Sequence, residues 1–376
     1  MFPVALLSGI LGVMVWPLHF CGVLPAFPGG VHARLMTHGF FAGYILGFLG
    51  TALPRMLSAP RLRSGELLAL LVLHLAMTGT LALGQERAGD VLLLLLVTTF
   101  GFMMLWRVRR RNDLPPPGFI LVLLAFACLG AGTALSLFLP AAEETARWAQ
   151  LQHLLSYQGF VLLPILGVGA FLFPRFFGLP NRHDFPEALT PSPEWRGKAV
   201  WALGTGLAIV ASFFVEAAGA QRGGIALRLA AVACYLLHEV PLHRSAAAPG
   251  AVSALLKLGL ALILAGLAAM LIVPQYRVAL LHLTLVGGFA LTTMAVATRV
   301  VFGHSGHQHL LGAPNRWLKV AVGLMLLAMV TRISGDFWPK IRVSHYNYGA
   351  VLWVLGALTW AWWVLPKVRV PDPEGA

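Results

Sequence analysis

The chain has 376 residues, of which 58% are hydrophobic and only 11% charged, with a formal net charge of +13. Soluble domains carry about 25% charged residues, so this composition excludes an ordinary soluble globular protein. The basic excess sits in short loops between apolar segments, which argues against nucleic acid as a partner. The segments also lack the apolar–polar alternation of a membrane β-barrel.

Spanning a bilayer takes about 20 apolar residues per helix, and twelve such segments follow one another. The first six run over about 3–25, 31–54, 64–84, 90–108, 117–139 and 147–174. The last six run over about 196–216, 223–241, 250–273, 276–302, 315–334 and 346–368. Each is expected to be helical, because backbone groups in hydrocarbon must be satisfied within the segment. The first has no basic leader and reads as a retained helix rather than a cleaved signal. The longest connection, 175–195, contains Pro180, Pro186, Pro191 and Pro193 and is too short to be a domain. The expected fold is all-α: one polytopic membrane bundle of about twelve helices.

Basic residues set the expected orientation. Arg55, Arg61, Arg63, Arg107, Arg109, Arg110, Arg111, Arg175, Arg182 and Arg244 all follow even-numbered segments, and Arg369 lies in the C-terminal tail. Loops after odd-numbered segments carry fewer and add Glu86, Glu143, Glu144, Glu216 and Asp336. Both termini are therefore expected in the cytoplasm. Acids inside the segments look scarce, with Glu239 and Asp336 near segment ends, which disfavours an ion-coupled transporter.

On this topology His19, His32, His38, His153, His282 and His345 collect at the outer face, contributed by five segments. His74 falls near mid-membrane, and His183, His238, His243, His304, His307 and His309 fall on the cytoplasmic side. Ionisable groups within a membrane tend to face the bundle interior, and neutral imidazole ligates haem iron and copper. His32, His153 and His282 are the leading candidate ligands, with His38 and His345 behind them. A histidine at a helix end also meets headgroups or water, and Trp338, Tyr346 and Tyr348 beside His345 read as an interfacial aromatic belt. His32 and Met36, four apart, share a helix face. His32 and His38, six apart, are turned roughly 120° from each other. Two centres, or one centre plus a hydrogen-bonding histidine, suit that spacing. Arg34 and Arg332 lie in the same layer and are candidates for pairing with haem propionates; snorkelling to headgroups is the plainer alternative.

Segments two, six and ten are related. In each, a Gly-Phe pair precedes a punctuated exit by 15 residues: Gly39 to Pro54, Gly159 to Pro174, and Gly288 to Gly303. The repeat-related helices, about 31–54, 147–174 and 276–302, recur every four segments, as three pseudo-repeated four-helix units would. Cys21, Cys128 and Cys234 are far apart in apolar segments, and no Cys-x-x-Cys-His haem attachment occurs. The chain carries no nucleophile elbow or phosphate loop, and catalytic residues are not identifiable.

The run His282-Leu-Thr-Leu-Val-Gly-Gly, followed by Arg299-Val-Val-Phe-Gly-His304-Ser-Gly306, resembles the signature of NnrS membrane proteins, whose helix ends in Arg-x-x-x-Gly-His-Thr-Gly. The stretch Val31-His32-Ala33-Arg34-Leu35-Met36 is similar to the family's Trp-His-x-His-Glu-Met. His32, Met36, Gly39 and Phe40 match; the tryptophan, second histidine and glutamate do not. The resemblance implies a haem- and copper-containing inner-membrane protein linked to nitric oxide and nitrosative stress. It also implies a distant similarity to the twelve-helix catalytic subunit of haem–copper oxidases and nitric oxide reductases. The expected cofactor is haem of the b type, with copper in question because of the lost histidine and glutamate. Expected partners are membrane lipid, a diatomic gas such as nitric oxide, and an electron donor of unknown identity. The first alternative is a haem–copper oxidoreductase acting on nitric oxide or oxygen; the second is a transporter or assembly factor without a redox centre.

Overall fold

The computed structural model describes residues 1–138, 146–241 and 250–369. Glu143, Glu144 and Arg244, which entered the loop-charge argument, and His243, placed on the cytoplasmic side, lie outside the described residues. Twelve helical segments follow in order: α1 (Phe2–Phe20), α2 (Gly29–Met56), α3 (Ser64–Ala82), α4 (Glu86–Arg109), α5 (Pro117–Phe138), α6 (Ala146–Phe176), α7 (Pro193–Ala217), α8 (Gln221–Glu239), α9 (Gly250–Ile272), α10 (Pro274–His304), α11 (Arg316–Phe337) and α12 (Pro339–Val368). No strand occurs among the described residues.

Eleven of the twelve are long and apolar enough to cross a membrane. The remaining one, α8, has the length but carries Arg222, Arg228 and Glu239. The protein is a multi-pass helical membrane protein. Large apolar side chains such as Phe102, Leu123 and Phe214 are exposed on the helices, as a lipid-facing surface requires. Helix starts follow ordinary capping chemistry. Ser192 Oγ accepts the Trp195 N–H at 3.1 Å with Pro193 at the first helical position, and Asn315 Oδ1 accepts the Leu318 N–H at 3.1 Å.

The chain forms two compact units, one of residues 37–244 and the other of residues 2–36 with 245–376. In the first, α3 packs on α4, α5 on α6, and α7 on α8. In the second, α9 packs on α10, α11 on α12, and α1 on α12. The passage between the units falls inside α2, at Met36–Thr37.

Three helices depart from plain α geometry. Each of α2, α6 and α10 contains a π-helical stretch: Leu35–Phe41, Leu154–Gly159 and Leu283–Ala290. These are the three repeat-related helices, and the Gly-Phe pairs fall at or within the ends of the wide turns. A π-bulge inserts one residue into a helix and is frequent at functional sites. Small residues on the preceding helix face two of the stretches. A Cβ on Gly132 of α5 would strike Ser156 Oγ of α6. A Cβ on Gly266 of α9 would strike Thr284 Oγ1 and lie 2.8 Å from the Thr284 nitrogen. Glycine at these two sites lets the paired helices touch backbone to backbone.

Candidate cofactor site

Residues 2–36 and 245–376 gather His32, His282, His345, Met36, Arg34 and Arg332 into one unit. At the start of α2, His32 Nδ1–H donates to the carbonyl oxygen of Gly12 on α1 at 2.7 Å. On α10, His282 Nδ1–H donates to the carbonyl of Val278, one turn earlier, at 2.8 Å. In both rings Nδ1 donates to a backbone carbonyl, which fixes the tautomer with the lone pair on Nε2. The two imidazoles and the Arg332 guanidinium are within electrostatic reach of one another. Met36 Sδ packs against Gly12 as well, at 3.0 Å from the position a Cβ would take there. His32 and Met36 therefore do lie on one face, the face towards α1.

Aromatic and charged groups enclose His32. Trp16 of α1 meets His32 edge-on at 5.9 Å between ring centroids and Tyr346 of α12 at 5.1 Å. Arg332 Cζ of α11 lies 3.8 Å over the Tyr346 ring. Arg332 Nη1 donates to Asp336 Oδ2 at 2.9 Å, and the Tyr346 hydroxyl donates to Asp336 Oδ1. Tyr346 is thus a buried, hydrogen-bonded residue rather than part of an interfacial belt, whereas Trp338 and Tyr348 are exposed as a belt requires. His345 Nδ1 pairs with Ser334 Oγ at 2.7 Å. Arg34 is buried within the protein. Arg332 uses one nitrogen on Asp336, and its guanidinium fork has further donors suited to a carboxylate.

Residues 37–244 hold the other two candidates. His38 is buried, with Nδ1 3.6 Å from Asp90 Oδ1 of α4, and Asp90 Oδ2 accepts from Ser136 Oγ of α5 at 2.7 Å. The Tyr157 ring stacks on His153 at 5.2 Å and meets His38 at 5.6 Å. The six-residue spacing of His32 and His38 accordingly turns one towards α1 and the other towards α4. Among the described residues no group of three His, Cys, Asp or Glu side chains forms a ready-made metal cage.

Several charges are buried that the sequence did not mark as such. Asp90, Glu216 and Arg228 are each 1% exposed, so charge inside the helix bundle is commoner than the segment pattern suggested. Arg228 of α8 pairs with Glu216 of α7, donates to Gln158 Oε1 of α6 at 2.5 Å, and bonds Ser212 Oγ at 3.2 Å. Glu239 accepts from His183 Nε2 at 2.8 Å, Lys198 Nζ at 3.2 Å and His238 Nδ1 at 2.9 Å. Asp90 and Glu216 lie near segment ends in the sequence, where hydropathy does not distinguish an inward from an outward turn. The outlying histidines of 304–309 form a local turn, in which His307 Nδ1 contacts Ser305.

These features define a polytopic helical membrane protein with backbone-oriented histidines on repeat-related helices, each interrupted by a π-turn. The chain belongs to the NnrS family: the family model described as NnrS protein matches residues 1–371. No curated protein matches the chain.

Proposed function

We propose that this NnrS protein binds haem at the site of His32 and His282, with one of the two imidazoles on the iron, and uses it to bind, sense or detoxify nitric oxide in a bacterial inner membrane. The reading rests on one observation above all: both imidazoles are held through Nδ1 by backbone carbonyls, leaving Nε2 available. Metal-ligating histidines characteristically engage their other ring nitrogen in this way. Trp16 and Tyr346 would pack against a flat ring and exclude water from it. Arg332 and Arg34 would offset the propionate charge, Arg332 with the donors that Asp336 leaves over. Met36 shares the His32 face and would pack against the same group. Iron held by one of these imidazoles would keep a coordination position for the diatomic gas, whereas iron held by both would favour electron transfer. His38, His153 and Asp90 form a second histidine group, in which His153 is the candidate metal ligand.

A haem–copper oxidoreductase is the second reading. What favours it is Asp90, a buried acid beside His38, because proton-consuming chemistry needs acids inside the bundle. Anaerobic titration of the purified protein with nitric oxide tests the first reading: a saturable shift of the Soret band is expected. No shift with fully loaded protein would refute gas binding. Stoichiometric copper together with nitrous oxide production would move the protein to the second reading.

A further inference from the structure

At the end of the α3–α4 hairpin an arginine cluster surrounds one tryptophan. Arg107 of α4 is fully buried and uses all five of its N–H donors. Nε–H goes to the Pro60 carbonyl at 2.9 Å. Nη1 serves Met103 O at 2.8 Å and Glu66 Oε1 at 3.1 Å. Nη2 serves Arg61 O at 2.9 Å and Glu66 Oε2 at 2.6 Å. Arg107 therefore has nothing left for a ligand. It pins the 60–63 connection to α4 and takes both carboxylate oxygens of Glu66, which also accepts the Arg63 backbone N–H at 2.7 Å.

Its arginine neighbours are exposed. Arg110 Cζ lies 4.0 Å over the Trp106 ring, and Arg63 Cζ lies 5.9 Å from it. Arg61 and Arg109 are exposed at the same helix ends. Among the described residues no carboxylate lies within ion-pair distance of Arg61, Arg63, Arg109 or Arg110. A guanidinium stacked on an indole keeps its N–H edge free for phosphate oxygens. Directly along the helices from this cluster the outward face is apolar and exposed: Leu67, Leu68 and Val72 on α3, Leu105 and Phe102 on α4. A cationic edge above a continuous hydrocarbon-facing surface matches one kind of molecule, with an anionic head and acyl tails.

We propose that the α3–α4 hairpin end is a binding site for an anionic phospholipid, whose phosphate sits against Arg63 and Arg110 beside Trp106 and whose chains lie along α3 and α4. The occupant is a lipid and not free phosphate, because the apolar surface runs unbroken from the cluster into the membrane. The site is independent of any haem.

Native mass spectrometry of the full chain, released from detergent with equal amounts of phosphatidylglycerol and phosphatidylcholine, tests this. The wild-type protein is expected to retain phosphatidylglycerol in preference. Each arginine near an anionic surface is worth about a fivefold change in binding, so R63Q/R110Q should lower that retention by roughly twentyfold while phosphatidylcholine is unaffected. R87Q, which removes an exposed charge at the opposite end of α4, should change nothing. Equal retention of the two lipids by the wild type, or undiminished retention by R63Q/R110Q, would overturn the proposal. Displacement of the lipid by millimolar inorganic phosphate would also overturn it, in favour of a soluble anion.

Discussion

The His32 imidazole holds the Gly12 carbonyl at 2.7 Å, and the Gly12 Cα lies against Met36. One glycine on α1 thus sets the position of both residues. A Cβ there would stand 3.0 Å from Met36 Sδ and 3.1 Å from Leu35 Cβ, before any branching. Gly12→Val should push α1 from α2 at a cost of about 1–3 kcal/mol and break the orienting bond. Haem titration of the purified variant should show affinity lowered by about 10–100-fold, the usual effect of losing an outer-shell partner. Unchanged affinity would mean that α1 does not orient the ligand.

Arg332 is expected to matter through geometry as well as charge. It lies over Tyr346 and pairs with Asp336, and only part of its fork is used. Arg332→Gln should weaken haem binding by roughly tenfold. Arg332→Lys should recover little of that, because an ammonium lacks the planar two-pronged donor edge. Full rescue by lysine would reduce the role to simple charge. Equilibrium haem titrations of the three proteins make the comparison.

The Arg228–Glu216 pair is structural. Glu216→Ala would leave a buried guanidinium with one partner fewer, a loss of about 3–5 kcal/mol, seen as a large drop in thermal unfolding temperature in detergent. Replacing both members by apolar residues, as in E216L/R228M, should recover most of that stability. If the double variant is as unstable as the single one, the pair has a role beyond mutual compensation.

How much of this was legible in the sequence depends on the physics of each feature. The spans were, to within a few residues, because hydrocarbon thickness fixes their length and the loops carry the charge. The Gly-Phe spacing common to α2, α6 and α10 was visible, but their π-turns were not: hydropathy carries no record of a hydrogen bond that skips to the fifth residue. Asp90 passes unmarked and Glu216 reads as a loop acid because both sit at segment margins, where an acid turned to solvent and one turned inward look alike. Tyr346 was masked by its aromatic neighbours, and its burial and its bond to Asp336 separate it from them. The division of the histidines follows from the six-residue spacing of His32 and His38, but which helix each would face could not be read from spacing.

The 304–309 histidines offer a control for specificity. His307 contacts Ser305 within its own turn, so His307→Ala should leave cofactor content and absorption unchanged. A parallel loss of colour in this variant would show that histidine number, and not placement, governs binding.

The decisive measurement is the absorption spectrum with iron analysis of wild-type, His32→Ala and His282→Ala proteins purified from haem-replete cells. The expected result is a Soret band with stoichiometric iron in the wild type and its loss or strong reduction in both variants, at normal yield. A colourless wild-type protein, or full haem retention in both variants, would contradict ligation by His32 or His282.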